Sequence, residues 1–297
     1  MLQKSQGPAM PPVQRLQGII SHLQPQPTSG HPTSKAIDTL KGKVAIVTGS
    51  SSGVGASTVK LLASKGCDVV VCYNSSKGGA EKVAEECRNY GVRAIVCQGD
   101  VSKEENCKKL VDEVMNGLGR IDLLVNNAGA TKRVPLNNLT DLSQEDFQWI
   151  YATNTISAYN MIRFCTPHMK ATGGGRVVML ASHAGTHHTI GSSMAYICSK
   201  AALVAMTRAM AKALGPDIKI NAVCPGFIEG DYLIKAFGME AYNKTKEAVI
   251  SKVPGGAVNT GEDVAQAVLW FLEGAPNITG EAITMDAGFG LMRGPAL

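Results

Sequence analysis

A chain of 297 residues with 44% hydrophobic side chains can bury a large core in one or two domains. The net charge of +5, from 29 basic and 24 acidic residues, is spread without a long basic run, which argues against nucleic-acid binding. No apolar run approaches ~18 residues, so no membrane span is expected. The eight scattered cysteines, without C-x-x-C pairs, suit free thiols in a reducing compartment.

Residues 1–39 read as a flexible Pro/Gln-rich N-terminal extension. Residues 1–36 hold six of the 13 prolines and no acid, and the run 25–34 has the composition of a linker. Val13, Leu16, Ile19, Ile20 and Leu23 make a short apolar helical stripe within it. An acid-poor amphipathic stretch also fits a transit peptide to an organelle matrix. With only Lys4 and Arg15 as charge, a tail on a cytoplasmic protein is the better expectation.

From Leu40 onward, strand and helix patterns alternate in a domain over residues 40–297. Strands are expected at Lys43–Val47, Asp68–Cys72, Arg93–Gln98, Ile121–Val125, Arg176–Leu180, Ile218–Val223 and Glu281–Met285. Between them fall helices after the first strand to about Ala63, then at Gly79–Tyr90, Glu104–Leu118, Phe147–Met169, Ala195–Leu214 and Asp263–Leu272. The section before the last helix reads as irregular. This alternation predicts an α/β, doubly wound domain: one seven-stranded parallel sheet with helices on both faces.

Two stretches carry chemistry. Gly49, Gly53 and Gly55 lie in the first strand-to-helix turn, where glycine lets a pyrophosphate approach and a helix N-terminus faces it. Tyr196 and Lys200 stand four apart on a predicted helix, hence on one face. A nearby ammonium lowers a phenol's pKa from ~10, so the pair suits acid/base work near neutrality. Ser182 follows a β-branched strand and supplies a hydroxyl at its C-terminal end.

With these elements in order, the chain resembles the short-chain dehydrogenase/reductase family over about 40–291. The matching pieces are Thr48-Gly49-x-x-x-Gly53-x-Gly55, Asp100-Val101, Asn126-Asn127-Ala128-Gly129, Asn154, Ser182, Tyr196, Lys200, Pro225-Gly226 and Asp286-Ala287-Gly288-Phe289. It is similar to the 3-oxoacyl-carrier-protein and polyhydroxynaphthalene-type ketone reductases within that family. The resemblance implies a Rossmann-like fold and hydride exchange between a nicotinamide cofactor and a carbonyl/alcohol pair. It implies that Tyr196 donates the proton and that Ser182 polarises the carbonyl. Lys200 lowers the tyrosine pKa and binds ribose, and Asn154 holds a water. The implied cofactor contacts are Gly49, Ser51, Ser52, Gly53, Val54, Gly55, Tyr73, Asn74, Ser75, Ser76, Asp100, Val101, Asn127, Ala128, Gly129, Tyr196, Lys200, Pro225, Gly226 and Ile228. No metal is expected: His183, His187 and His188 sit in a loop without nearby carboxylates in sequence.

The second strand runs into Tyr73-Asn74-Ser75-Ser76-Lys77 with no acid until Glu81. An acid there would bind a free ribose 2′-hydroxyl and repel a 2′-phosphate, so NADP(H) is expected over NAD(H), which remains possible. Substrate loops are expected at 130–138, 183–194 and about 227–257. The substrate is a small carbonyl or alcohol: a 3-oxoacyl, polyketide or quinone-like ketone first, a sugar or steroid alcohol second. A non-catalytic cofactor-binding regulator is the third reading. The apolar long helices and the resemblance imply a homotetramer, or a homodimer. Three departures stand out. The Ser182–Tyr196 spacing of fourteen is about one longer than in many relatives. Gly230 replaces a frequent threonine, and Ala287 replaces a glycine. Asp68 and Glu81 read as solvated charges.

Overall fold

The computed structural model describes residues 40–186, 190–230, 233–234 and 238–291. The expected extension at 1–39, and His187 and His188, lie outside the described residues. Those described fall in one compact unit. The strands are β1 Val44–Val47, β2 Asp68–Tyr73, β3 Ala94–Gln98, β4 Leu123–Asn126, β5 Gly175–Leu180, β6 Ile218–Pro225 and β7 Ala282–Met285. All pair in parallel, in the order β3-β2-β1-β4-β5-β6-β7.

Alternate residues feed two cores, as a strand's period of two requires. Ile46, Val70, Leu124, Val177 and Ile220 face helices α3 (Glu104–Leu118), α5 (Ser157–Ala171) and α6 (Met194–Leu214). Val47, Val69, Val125, Val178 and Val223 face α1 (Gly53–Ser64), α2 (Lys77–Arg88) and α8 (Gly261–Leu269). Strands covered on both sides read as unbroken apolar runs, and β1 is buried at every position.

Three features depart from the expected elements. The helix expected at Phe147–Met169 is two helices, α4 (Gln144–Tyr151) and α5, joined through a π turn at Ala152–Ile156. Apolar periodicity does not register one extra residue in a turn. The last helix starts earlier, at Gly261, where Thr260 and Asp263 form a capping box, and it too ends in a π turn, Trp270–Gly274. The irregular section contains a helix, α7 (Met239–Ile250), whose buried face is only Tyr242 and Val249, too sparse a pattern to read.

The expected solvation of Asp68 is also corrected: its carboxylate accepts the Arg93 backbone N–H at 2.8 Å and pairs with that guanidinium at 2.7 Å. Asp122, buried beneath the sheet, accepts the Val44 N–H at 2.9 Å and faces Lys43 at 3.1 Å and Arg120 at 2.7 Å. Burial alone would raise its pKa, but these donors hold it below the usual carboxylate range. A depressed pKa contributes stability above the unfolded value of ~3.9 and loses it as pH falls through the folded one. Asp122→Ala is expected to cost about 2–3 kcal/mol, discounted for the half-exposed cations, and to flatten the acid limb of stability. Urea melts of both proteins between neutral and strongly acid pH check this, and equal acid limbs would refute it.

Candidate active site

β1 and β4 are neighbours whose chains continue to opposite sides of the sheet, and such a switch point opens a crevice at the strand C-termini. The glycine turn forms one lip. Gly49 and Gly53 have φ of +64° and +56°, and Gly55 is buried at the start of α1. A methyl on Gly55 would come within 2.6 Å of both Asn127 Nδ2 and the Gly49 carbonyl, so only hydrogen fits. Asn127 Nδ2 donates to the Thr48 and Gly49 carbonyls at 2.8 and 3.0 Å, while Thr48 Oγ1 accepts the N–H groups of Asn127 and Ala128. The turn and the 126–129 segment are therefore one rigid unit.

Ser52 precedes α1 without a side-chain cap, and no acid lies in the first turn. A glycine cradle at an uncapped positive helix end, with Ser51, Ser52 and Val54 around it, fits a dinucleotide pyrophosphate. Tyr73 is buried at the end of β2, and Asn74, Ser75, Ser76 and Lys77 follow it exposed. Tyr73, Asn74 and Lys77 border a polar cleft of ≈600 Å³ that also takes in Gln98, Asp100 and Lys109. Glu81, exposed as expected, stands at the rim of this cleft. Asp100 Oδ1 accepts the Ser102 N–H at 3.0 Å, and Val101 is buried in the core.

The four polar residues singled out in sequence arrive from three places: Asn154 from the π turn, Ser182 from the end of β5, and Tyr196 and Lys200 from α6. Asn154 Oδ1 accepts the Ala130 N–H at 2.6 Å, and its Nδ2 donates to the Ala130 carbonyl at 3.0 Å and to Ser199 Oγ at 2.9 Å. A Cβ on Gly129 would lie 3.5 Å from Asn154 Oδ1 and 3.6 Å from Lys200 Nζ, so these two groups share one small space. Ser182 leaves β5 and caps a short 3-10 turn, His183–Gly185, by accepting the Ala184 N–H at 3.1 Å. Ser193 caps α6 by accepting the Tyr196 N–H.

Lys200 is buried, and its Nζ donates to the Leu180 carbonyl at 2.6 Å. It lies 5.7 Å from the centroid of the Tyr196 ring. Burial pushes the Lys200 ammonium down to about 8, with the Cys224 thiol pulling weakly the other way. Burial also raises the Tyr196 phenol, opposed by its hydrogen bond with the Ser182 hydroxyl. The sequence reading expected a phenol lowered by Lys200. Here desolvation dominates, with Lys200 buried and bonded to a carbonyl.

Pro225 closes β6, and the Gly226 N–H bonds the Met285 carbonyl at 2.9 Å. Ile228 bridges to Asn259. Gly230 has φ +143°, so the threonine frequent in the resembled family would be strained on this backbone. Ala287 is at φ +53°, the one non-glycine residue with positive φ among those described, at a cost of about 1–2 kcal/mol. The expected substrate loops are tied together: Thr131 and Ser192 hydroxyls meet at 2.5 Å, and the Val134 N–H bonds the Ser192 carbonyl at 2.8 Å. Glu229 pairs with Lys246 of α7 at 2.9 Å, and Phe227 packs on Tyr242.

Sequence reasoning missed the supporting contacts of three residues, although Asp286 stood in a matching motif. Ser199 bridges Asn154 to α6 and donates to the Tyr196 carbonyl at 2.8 Å. Gly185 has no room for a methyl, which would run into the Lys200 backbone. Asp286 reaches the residue beside Ser182. Those contacts carried no local signal, since each residue acts through partners distant in sequence.

Fold, crevice and polar set together define a dinucleotide-dependent oxidoreductase. A family model described as enoyl-(acyl carrier protein) reductase matches residues 49–290. A ketoacyl reductase of the granaticin polyketide synthase from Streptomyces violaceoruber is 35% identical over 257 residues, covering 86% of this chain and 100% of its own. The 3-oxoacyl-(acyl-carrier-protein) reductase FabG of Staphylococcus epidermidis is 33% identical over 248 residues, 83% of this chain and 98% of its own. A solved short-chain dehydrogenase/reductase from Burkholderia xenovorans superposes with a TM-score of 0.77 at 30% identity, covering 84% and 98% of the two chains. The chain belongs to the short-chain dehydrogenase/reductase family: it is an oxidoreductase of alcohol and ketone groups that uses NAD(P)(H). No helix among the described residues is long and apolar enough to cross a membrane.

Proposed function

We propose that this enzyme reduces a ketone, 3-oxoacyl or polyketide/quinone-like, to a secondary alcohol with NADPH, using Tyr196 as the general acid. The observation that carries this is the convergence of Asn154, Ser182, Tyr196 and Lys200 at the strand C-termini, with Lys200 Nζ 5.7 Å from the centre of the Tyr196 ring, in a chain similar to proteins named as ketoacyl and 3-oxoacyl reductases. A protonated donor is what reduction needs, since a proton must reach the forming alkoxide. A non-catalytic regulator would have no use for such a set.

When bound, the nicotinamide cofactor supplies the hydride. Tyr196 Oη passes its proton to the substrate oxygen. Ser182 Oγ donates a hydrogen bond to that oxygen and meets its developing charge. Lys200, charged below about pH 8, stabilises the phenolate left behind and contacts the ribose. Asn154 fixes Ala130 and stands with Lys200 beside Gly129, where a water relay to solvent is proposed. Ser51, Ser52 and the 49–55 turn hold the pyrophosphate. Asp100 and Val101 flank the adenine; Asn127, Ala128, Gly129, Pro225, Gly226 and Ile228 flank the nicotinamide half.

NADPH preference rests on the acid-free exit of β2, with Asn74, Ser75, Ser76 and Lys77 exposed to meet a 2′-phosphate. The kcat/KM with NADPH is expected to exceed that with NADH by at least about tenfold, or ~1.4 kcal/mol. Equal values, or a preference for NADH, would contradict it. A cytoplasmic location is supported by eight free cysteines, nearly all buried. A homotetramer or homodimer is supported by exposed Trp149, Ile156 and Tyr159 on the α4–α5 side and exposed Ala201, Ala205 and Ala209 on α6. Sedimentation at micromolar concentration tests this; a species of monomer mass alone would overturn it.

A further inference from the structure

We propose that His183 is a positioning residue for Ser182, held in place by a clasp formed from the segment after β7. The proposal rests on the reading of Ser182 given above. Asp286 follows β7, and its carboxylate accepts the Gly288 N–H on Oδ1 at 3.0 Å and the Gly290 N–H on Oδ2 at 3.3 Å. The same Oδ2 lies 3.7 Å from His183 Nδ1, with only 14% of the histidine and 8% of the aspartate side chain exposed. The Phe289 ring meets the imidazole edge-on, centroids 5.3 Å apart at 75°. One short segment thus places a carboxylate on one side of His183 and an aromatic ring on the other.

His183 transmits these contacts through its backbone. It is the first residue of the 3-10 turn that Ser182 caps. Its carbonyl accepts the Thr186 N–H at 3.0 Å and Thr186 Oγ1 at 2.6 Å. Displacing the imidazole therefore displaces the turn whose geometry aims Ser182 Oγ at Tyr196. Gly226, on the nicotinamide side, is the floor: a Cβ there would lie 2.8 Å from Asp286 Cβ and 3.7 Å from His183 Nδ1.

A second observation marks the same segment. Ala287, between the clasp residues, holds φ +53°. Its carbonyl accepts the Gly255 N–H at 2.9 Å, and Gly288 packs on Pro254. Strain of this kind persists only where the surroundings over-determine it, and it collects at functional sites. Here the surroundings converge on the residue beside Ser182. The acid/base groups of α6 nearest the serine turn are Tyr196 and Lys200, and the carboxylate facing the imidazole is Asp286.

The test is steady-state kinetics on the full chain with NADPH and the fastest ketone of a carbonyl panel. His183→Gln, Asp286→Asn and the double variant are made in the wild type and in Ser182→Ala. Each single variant is expected to lower kcat roughly tenfold with KM for NADPH unchanged within about twofold, and the double variant to be no worse than the weaker single. In Ser182→Ala the loss from His183→Gln should shrink below about twofold, because the group it positions is gone. An undiminished loss there overturns the proposal, since His183 would then act elsewhere; so does an unchanged kcat in the single variants. If His183→Gln does not fold, His183→Asn and Asp286→Asn carry the same cycle. A Ser182→Ala enzyme with full activity would instead refute the reading of Ser182 itself.

Discussion

Tyr196→Phe is expected to lower kcat by about 10²–10⁴-fold while the protein still folds and binds NADPH. Only the hydroxyl is removed, and the ring that packs at the start of α6 remains. The hydroxyl is the group that can pass a proton to the forming alkoxide, and Ser182 cannot replace it because its part is to donate a hydrogen bond, not to ionise. The pH dependence has a direction as well. Reduction needs Tyr196 protonated and Lys200 charged, and burial raises the first pKa while lowering the second to about 8. The acid form of the lysine is lost first as pH rises, so kcat is expected to fall above about pH 8 in the wild type. Stopped-flow rates across pH for both proteins, with NADPH binding followed by fluorescence, check this. Residual turnover in Tyr196→Phe above a few per cent of wild type would remove Tyr196 from the mechanism.

Gly185→Ala is expected to be nearly as damaging, although Gly185 touches no reacting atom. Its Cα packs directly against the backbone of Lys200 and Ala201, which leaves no space for a methyl group. Backbone cannot yield as a flexible side chain does, so the Ser182 turn and α6 must separate. Overpacking of this kind costs about 1–3 kcal/mol of stability. A shift near 1 Å between Ser182 and the Tyr196–Lys200 pair is enough to cost about 10²-fold in rate. Thermal melts and kcat on the same preparation read both effects. A folded Gly185→Ala enzyme with wild-type kcat would show that the contact does not set the site's geometry.

Both arguments depend on features that differ in how far they were legible in sequence. The sheet was legible because strands covered on both faces read as apolar runs, as in Val44–Val47 and Val69–Cys72. Alternation with helices implied a parallel sheet, but the strand order came only with the structure. The glycine turn was legible because only glycine permits its close approach to Asn127. Tyr196 and Lys200 were legible as a helical pair, and Asn154 and Ser182 through resemblance.

What was not legible depends on contacts distant in sequence. The π turn around Asn154 is one extra residue in a helix, and apolar periodicity passes over it. The α7 helix buries two side chains and so lacks a stripe. Gly185 and Ser199 look like ordinary loop and helix residues until Lys200 and Asn154 are placed against them. The raised phenol also ran against expectation. A nearby ammonium suggests a lowered pKa, whereas enclosure, which a sequence does not display, acts the other way.

The central claim, reduction of a ketone by NADPH, is tested most directly by one assay. The purified full-length chain is given NADPH and a panel of ketones that includes 3-oxoacyl thioesters, polyketide-like and quinone-like compounds, with a 2-enoyl thioester and sugar and steroid alcohols with NADP⁺ as controls. The absorbance of NADPH is followed, and the product is identified by mass. The account predicts NADPH consumption on at least one ketone, a secondary alcohol gaining two hydrogens, and none of this with Tyr196→Phe. Consumption only on the enoyl compound, turnover only in the alcohol-oxidising direction, or no turnover of any compound would contradict it.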